Sequence, residues 1–368
     1  MAIATSIDTE RIASTLADWL RGQLEDATDV QVTNLELPKS SGMSTETLLF
    51  DFTWTFSDTT KTQQAAARIA PAGEAFFPSY DLDLEASVMD ALSKSTNLPI
   101  PKILFREWNS SVLGSPFIVM ERVAGQVAGD DPPFTTAGWV LDLTDAERAR
   151  LCENGLRALA EIHGADLRQL EIAKLDVPTD TVGQHVKYWR NYLDWAAEGE
   201  SYPTLEAGLE YVVNNQPAQV GEPVLSWGDS RLGNIIFASD QTVAAVLDWE
   251  MVSAAPRELD LAWWWHIIRH HSEGIGAPLP GGFPDKMQTI ARYEELTGAT
   301  IRDFDYFEIF AALRLAIMHV RVANLMVHSG LLPSDTVLGS VNPAAKMLAE
   351  LIGVDGPSGE AANYFGNR

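Results

Sequence analysis

Cysteine occurs once in 368 residues, at Cys152, so no internal disulfide can form and nothing points to an oxidising compartment. Positive charge is also scarce: 26 Lys and Arg stand against 51 Asp and Glu, a formal charge of −25. Such a field repels a phosphate backbone and an anionic membrane, which argues against nucleic-acid or membrane partners. Long apolar runs are missing too. Leu259–Ile268 and Ile309–Val320 are the most apolar stretches, and Asp260, His266, Arg314 and His319 interrupt them. Met1–Arg11 lacks the basic region and apolar core of a secretory signal, so the expected location is the cytoplasm. Neither a Gly-x-Ser-x-Gly elbow nor the Gly-Lys-Ser/Thr ending of a P-loop is present, which removes the commonest serine-hydrolase and P-loop readings.

What remains is a well-packed globular composition, 46% hydrophobic and 21% charged, in a chain long enough for two lobes. The spacing of Ile12, Leu16, Trp19 and Leu20 predicts a helix over Thr9–Arg21. Strands are expected at Val30–Leu37, Thr47–Phe56 and, more briefly, Ala65–Ala70, with Ser57–Gln64 as a polar turn. A helix over Leu82–Ser93 and strands at Lys102–Arg106 and Pro116–Glu121 complete a small, mostly antiparallel sheet. Gly125–Pro133 reads as a lobe boundary. Beyond it the pattern is mainly helical: Thr144–His163 with a Thr144/Glu147 capping signature, Val182–Glu198, Leu205–Asn214, Leu259–His270, Phe283–Leu296 and Phe304–His328. A short β segment lies among them, from Val224 to Leu247.

That β segment carries the chemistry. In Leu225-Ser226-Trp227-Gly228-Asp229-Ser230-Arg231-Leu232-Gly233-Asn234, Asp229 and Asn234 bracket a polar loop that leads into an apolar strand. A second apolar strand, Val243–Leu247, ends at Asp248. If the two strands pair as a hairpin, a carboxylate, an amide oxygen and a second carboxylate meet at one edge. Mg²⁺ takes hard oxygen ligands and needs only one or two carboxylates beside phosphates. A separate carboxylate can orient an attacking hydroxyl. On this reading Asn234 and Asp248 hold Mg²⁺ and Asp229 is the base. Taken singly, Gly228-Asp229 also reads as a turn, Asn234 as a cap and Asp248 as one carboxylate among many.

Together with Val246-Leu247-Asp248-Trp249-Glu250, this loop resembles the catalytic and magnesium loops of the aminoglycoside phosphotransferase and choline kinase group, small-molecule relatives of the protein kinases. The family's loop opens with His-Gly-Asp; here it is Trp227-Gly228-Asp229. The resemblance covers most of the chain and implies an α+β, bilobal protein-kinase-like fold. A small antiparallel-sheet lobe, 1–122, would bind nucleotide, and a larger, mainly helical lobe, 123–368, would carry catalysis and the acceptor. It implies ATP, or GTP, as donor and a small-molecule hydroxyl as acceptor.

The resemblance also distributes roles. Ser41, Gly42, Ser44 and Thr45, in the turn Ser40–Thr45, resemble the nucleotide-covering loop. Arg68 matches the phosphate-holding base and Glu85 its ion-pair partner; without the family they read as an exposed strand residue and a solvated helix residue. Met120, Glu121 and Val123 fall in the stretch that resembles the interlobe hinge, where backbone atoms would meet the adenine edge. His163 resembles a helix-end histidine packed near the catalytic loop, and Asp260 a structural organiser. Trp263–Trp265, and Trp189 with Tyr192 and Trp195, read first as core and second as acceptor walls. His266, His270 and His271 lack a convincing third ligand for zinc. A catalytically silent nucleotide- or metabolite-binding protein of the same shape is the alternative reading. Antibiotic resistance does not follow from the resemblance, because the acceptor pocket is the part of this fold that varies.

Overall fold

Leu48, Phe50 and Phe52 fall at every second residue of Glu46–Phe56, and that period of two turns all three to one buried face of a strand. The computed structural model describes residues 9–37 and 45–359. Proximity along its backbone divides the chain into two units, Met1–Ser93 with Ile100–Val123, and Lys94–Pro99 with Ala124–Arg368. The short Lys94–Pro99 segment groups with the second unit because it bonds there. The Asn97 N–H donates to the Glu161 carboxylate at 2.8 Å, and the Pro99 carbonyl accepts from the Val246 N–H at 2.9 Å.

In the first unit the order is α1 (Thr9–Gln23), β1 (Thr28–Glu36), β2 (Glu46–Phe56), β3 (Thr59–Ile69), α2 (Leu82–Ser95), β4 (Ile103–Glu107) and β5 (Phe117–Glu121). Among the described residues the strands form one antiparallel sheet in the order β1-β2-β3-β5-β4. Leu16 and Leu20 of α1 close over Phe50, Phe52, Ala65, Ala67, Phe117 and Val119. Strand β3 is longer than expected. Only Ser57 and Asp58 turn, both with positive φ (48° and 61°), and Thr59 already pairs with Phe56. This is the geometry of a two-residue hairpin turn whose twist suits the flanking strands.

The second unit contains α3 (Trp139–Asp142), α4 (Asp145–Gly164), α5 (Thr181–Ala197), α6 (Pro203–Asn214), β6 (Val224–Ser226), β7 (Ile235–Phe237), β8 (Val243–Val246), β9 (Ser253–Ala255), α7 (Arg257–His270), α8 (Lys286–Thr297), α9 (Phe304–His328) and α10 (Pro343–Ile352). Helix α4 starts at the anticipated capping box, with Thr144 and Glu147 bonding each other's backbone. Helix α8 starts later than expected, at a second capping box formed by Asp285 and Gln288. Helix α10, not anticipated, has Asn342 as N-cap, Pro343 in its first turn and Gly353 at its end.

Helix α9 is the axis of this unit, with α5, α6, α7 and α10 packed around it. It is also the one helix among the described residues long and apolar enough to cross a membrane, and 78% of its most apolar window is buried within the protein. Its apolar character is that of a core helix enclosed on several sides.

Candidate active site

The loop that carries Asp229 is held by one buried carboxylate. Asp260, in the first turn of α7 and fully buried, accepts the backbone N–H groups of Trp227 at 2.6 Å and Gly228 at 3.0 Å. It also accepts the Ser226 hydroxyl at 2.9 Å, and its carbonyl takes the Ser230 hydroxyl at 2.7 Å. His163 Nε2 lies 3.0 Å from the same carboxylate, and the Tyr293 hydroxyl lies 2.5 Å from Nδ1. A neutral ring satisfies both if Nε2 donates and Nδ1 accepts. Burial pushes the Asp260 carboxyl up, but the His163, Ser226 and Gly228 donors outweigh it and leave the group below its ordinary value.

Gly228 is required by this geometry. Its φ is +88°, and a Cβ there would stand 2.2 Å from the Met251 carbonyl oxygen. Trp227, at the place where the family loop has histidine, is fully buried and directs its indole N–H at the carbonyls of Leu247 (2.9 Å) and Asp248 (3.1 Å). The indole therefore ties the Asp229 loop to the Asp248 turn. Asp248 itself has a left-handed backbone, φ 61°, which aspartate tolerates better than most residues.

Strands β7 and β8 do pair as a hairpin, Ile235 opposite Val246. Asn234, just before β7, and Asp248, just after β8, therefore share one end of it, and the Leu247 N–H donates to the Asn234 carbonyl at 2.9 Å. The Asn234 amide nitrogen donates to the Asp229 carbonyl at 2.9 Å and to Asp229 Oδ2 at 2.7 Å. With the amide donors spent on Asp229, its oxygen is the atom left for a cation. An amide oxygen and a carboxylate at one hairpin end fit the hard donor set of Mg²⁺ bound beside phosphates. Among the described residues no cluster of three or more His, Cys, Asp or Glu is arranged to hold a metal ion by itself.

Asp229 makes further contacts that sequence reasoning missed. Arg231 Nε donates to Oδ2 at 2.8 Å, while Arg231 Nη1 bonds Asp130. Trp263 Nε1 donates to Oδ1 at 2.7 Å. Arg314 of α9, 1% exposed, donates from Nη2 to the Gly228 carbonyl at 2.8 Å and lies over the Trp263 and Trp189 rings, 4.4 and 5.2 Å from their centroids. Burial lowers its pKa to about 10, with Asp260 and Asp229 opposing. Of the tryptophans considered as acceptor walls, Trp189 and Trp263 thus lie against the protein's own cation, and Trp195 likewise against Arg321 at 4.4 Å. Arg231 lies inside the motif itself and was the one of these contacts a sequence signal could have offered. His266 is fully buried with no hydrogen-bond partner on either ring nitrogen among the described residues, and burial holds its pKa near 3.

The residues expected from the sequence to meet nucleotide belong to the first unit. Arg68 Nε and Glu85 Oε1 form an ion pair at 3.0 Å, their side chains 11% and 4% exposed, so neither is the solvated residue that the pattern without a family suggests. Thr45 is buried where β2 begins, whereas Ser41, Gly42 and Ser44 lie outside the described residues. Met120 is buried in β5 opposite Ala66. The Glu121 N–H is already committed to the Lys102 carbonyl at 3.0 Å, and Val123 follows partly buried.

Comparison with known proteins agrees with this architecture. A candidate aminoglycoside phosphotransferase from Ralstonia eutropha superposes with a TM-score of 0.69 at 23% identity, covering 92% of this chain and 98% of its own. An APH(2″) protein solved with GDP and kanamycin gives 0.57 at 15% identity, covering 88% and 94%. Both share the protein-kinase-like α+β fold. Among curated proteins, acyl-CoA dehydrogenase family member 11 of Pongo abelii is 26% identical over 263 residues, 69% of this chain and 32% of the relative. The chain thus spans about a third of that relative's length. A family model described as the phosphotransferase enzyme family, APH, matches residues 49–283. That match takes in Arg68, Glu85, the Asp229–Asn234 loop, Asp248 and Asp260, and the chain belongs to the APH phosphotransferase enzyme family.

Proposed function

We propose that this protein transfers the γ-phosphate of a nucleoside triphosphate to the hydroxyl of a small molecule, in the presence of Mg²⁺. The observation that carries the reading is the meeting of Asp229, Asn234 and the Asp248 turn at one end of the β7–β8 hairpin. Asp229 accepts the proton of the acceptor hydroxyl and aligns it for attack. Asn234, through its amide oxygen, and Asp248, through its carboxylate, would hold Mg²⁺, which when bound neutralises charge on the phosphate oxygens. In the first unit, Arg68 presents a guanidinium to phosphate oxygens and Glu85 fixes its orientation. Positioning and electrostatics supply most of the acceleration in this class of reaction. The dehydrogenase name belongs to curated relatives of which this chain matches only about a third, and it is not carried over.

Transfer of γ-labelled phosphate from ATP and from GTP, with Mg²⁺, into a panel of small hydroxyl compounds and a metabolite extract tests the reading. Wild type yields a labelled product. Asp229→Asn binds nucleotide but loses transfer, and Asp248→Ala loses Mg²⁺-dependent turnover. Normal turnover in a folded Asp248→Ala protein removes its metal role, and retained transfer in Asp229→Asn removes it as base. Saturable Mg·nucleotide binding with no product from any acceptor would favour a silent binding protein.

A further inference from the structure

An ionised carboxylate offers about four lone-pair sites, two on each oxygen. On Asp229, Oδ2 receives two donors, Arg231 Nε at 2.8 Å and Asn234 Nδ2 at 2.7 Å. Oδ1 receives one, the Trp263 indole at 2.7 Å. The site left over is on Oδ1. Resting on the phosphotransfer reading above, we infer that Trp263 is a positioning residue that presents Oδ1 of Asp229 to the acceptor hydroxyl, with Arg314 bracing the indole.

The residue types suit the task. An indole N–H donates and cannot accept, so Trp263 fixes Oδ1 without competing for the proton. Arg314 touches both the Trp263 ring and the carbonyl of Gly228, the residue before Asp229. It has no ion-pair partner among the described residues, and its Nε and Nη1 are buried without a hydrogen-bond partner there. A guanidinium buried on those terms is costly, and an apolar side chain of similar volume would fill the space more favourably. Its position is explained by what it holds: the indole on one side and the backbone leading into Asp229 on the other. In the transfer step the acceptor oxygen bonds to phosphorus and its proton passes to Oδ1. The terminal phosphoanhydride bond breaks, and the nucleoside diphosphate leaves with the electron pair.

Two measurements test the inference separately from the reaction. In protein labelled with ¹⁵N at the tryptophan indoles, at fixed pH, the Trp263 N–H signal is the one lost in Trp263→Phe. It is expected downfield in wild type and displaced upfield in Asp229→Asn. Arg314→Met should move or broaden it, and Arg314→Lys should restore most of its position. A Trp263 signal indifferent to Asp229→Asn overturns the inference, whatever the turnover assay gives. With a turnover assay, Trp263→Phe lowers kcat about ten- to hundredfold, the loss of one hydrogen bond to a charged group, and leaves the nucleotide KM unchanged. An unchanged kcat, or a loss confined to nucleotide KM, also overturns it. If wild type transfers no phosphate while the signal still responds to Asp229→Asn, the phosphotransfer reading fails and the Trp263–Asp229 contact stands.

Discussion

At the scale of single residues, the second unit concentrates its demands on Asp260. One carboxylate receives two backbone N–H groups, a serine hydroxyl and a histidine, and those bonds set the path of the loop that carries Asp229. Asparagine in its place would offer one accepting oxygen and turn an NH₂ group toward donors. Asp260→Asn is therefore expected to cost about 3–5 kcal/mol, as when one partner of a buried pair is removed. Urea unfolding checks this, and a change under about 1 kcal/mol would mean the loop is held by something else. Trp227 illustrates a different economy. Histidine opens this loop in the family, and the indole here makes its own pair of bonds to the Leu247 and Asp248 carbonyls, within a chamber shared with Trp249 at 5.9 Å between ring centroids.

At the scale of elements, the turn between β2 and β3 places two ordinary residues, Ser57 and Asp58, in left-handed backbone. Asn-Gly suits that geometry better, and the double replacement Ser57→Asn with Asp58→Gly should raise stability by about 1 kcal/mol. A lower melting temperature in the double variant would mean the turn is held by its present side chains. The same hairpin shows where sequence reading stops. Thr59–Gln64 has no apolar alternation because it is mostly exposed, so it reads as a turn, and only pairing with β2 makes it a strand. The β7–β8 hairpin was legible because both of its strands are apolar and polar residues mark both ends. Helix α10 carries its cap signals in plain view at Asn342, Pro343 and Gly353. Beyond Arg231 and Asn234 in its own loop, the contacts around Asp229 could not be read. Trp263 is 34 residues from Asp229, Arg314 is 86 from Gly228 and Asp130 is 101 from Arg231, distances that no local pattern spans.

At the scale of the whole molecule, acid works against the fold through four buried histidines, while Glu258, its carboxyl pushed up by burial, pulls the other way. His266, His270, His271 and His319 are all buried, and burial lowers the pKa of each, to about 3 for His266. The unfolded chain then binds protons that the folded chain refuses. Stability is complete above the ordinary histidine value of 6.5 and declines as pH falls through the window toward 3. Asp260, depressed below its ordinary 3.8, adds a further loss at the acid end of that window. The melting temperature should drop between pH 7 and pH 4, and His266→Phe should make the drop shallower; a flat profile would mean these histidines become charged without unfolding. Helix α9 bears on another stage of the molecule's life. While the chain is being synthesised, before α5, α6, α7 and α10 enclose it, α9 offers an insertion machinery a segment of spanning length. Arg314, near its middle, opposes partition into lipid by about 2.5–3.5 kcal/mol on the translocon scale, and Arg321 adds a second charge. The guanidinium later clasped between two tryptophans is, at that earlier moment, a cost set against the bilayer, one that burial in the protein's own core meets with ring faces and a carbonyl.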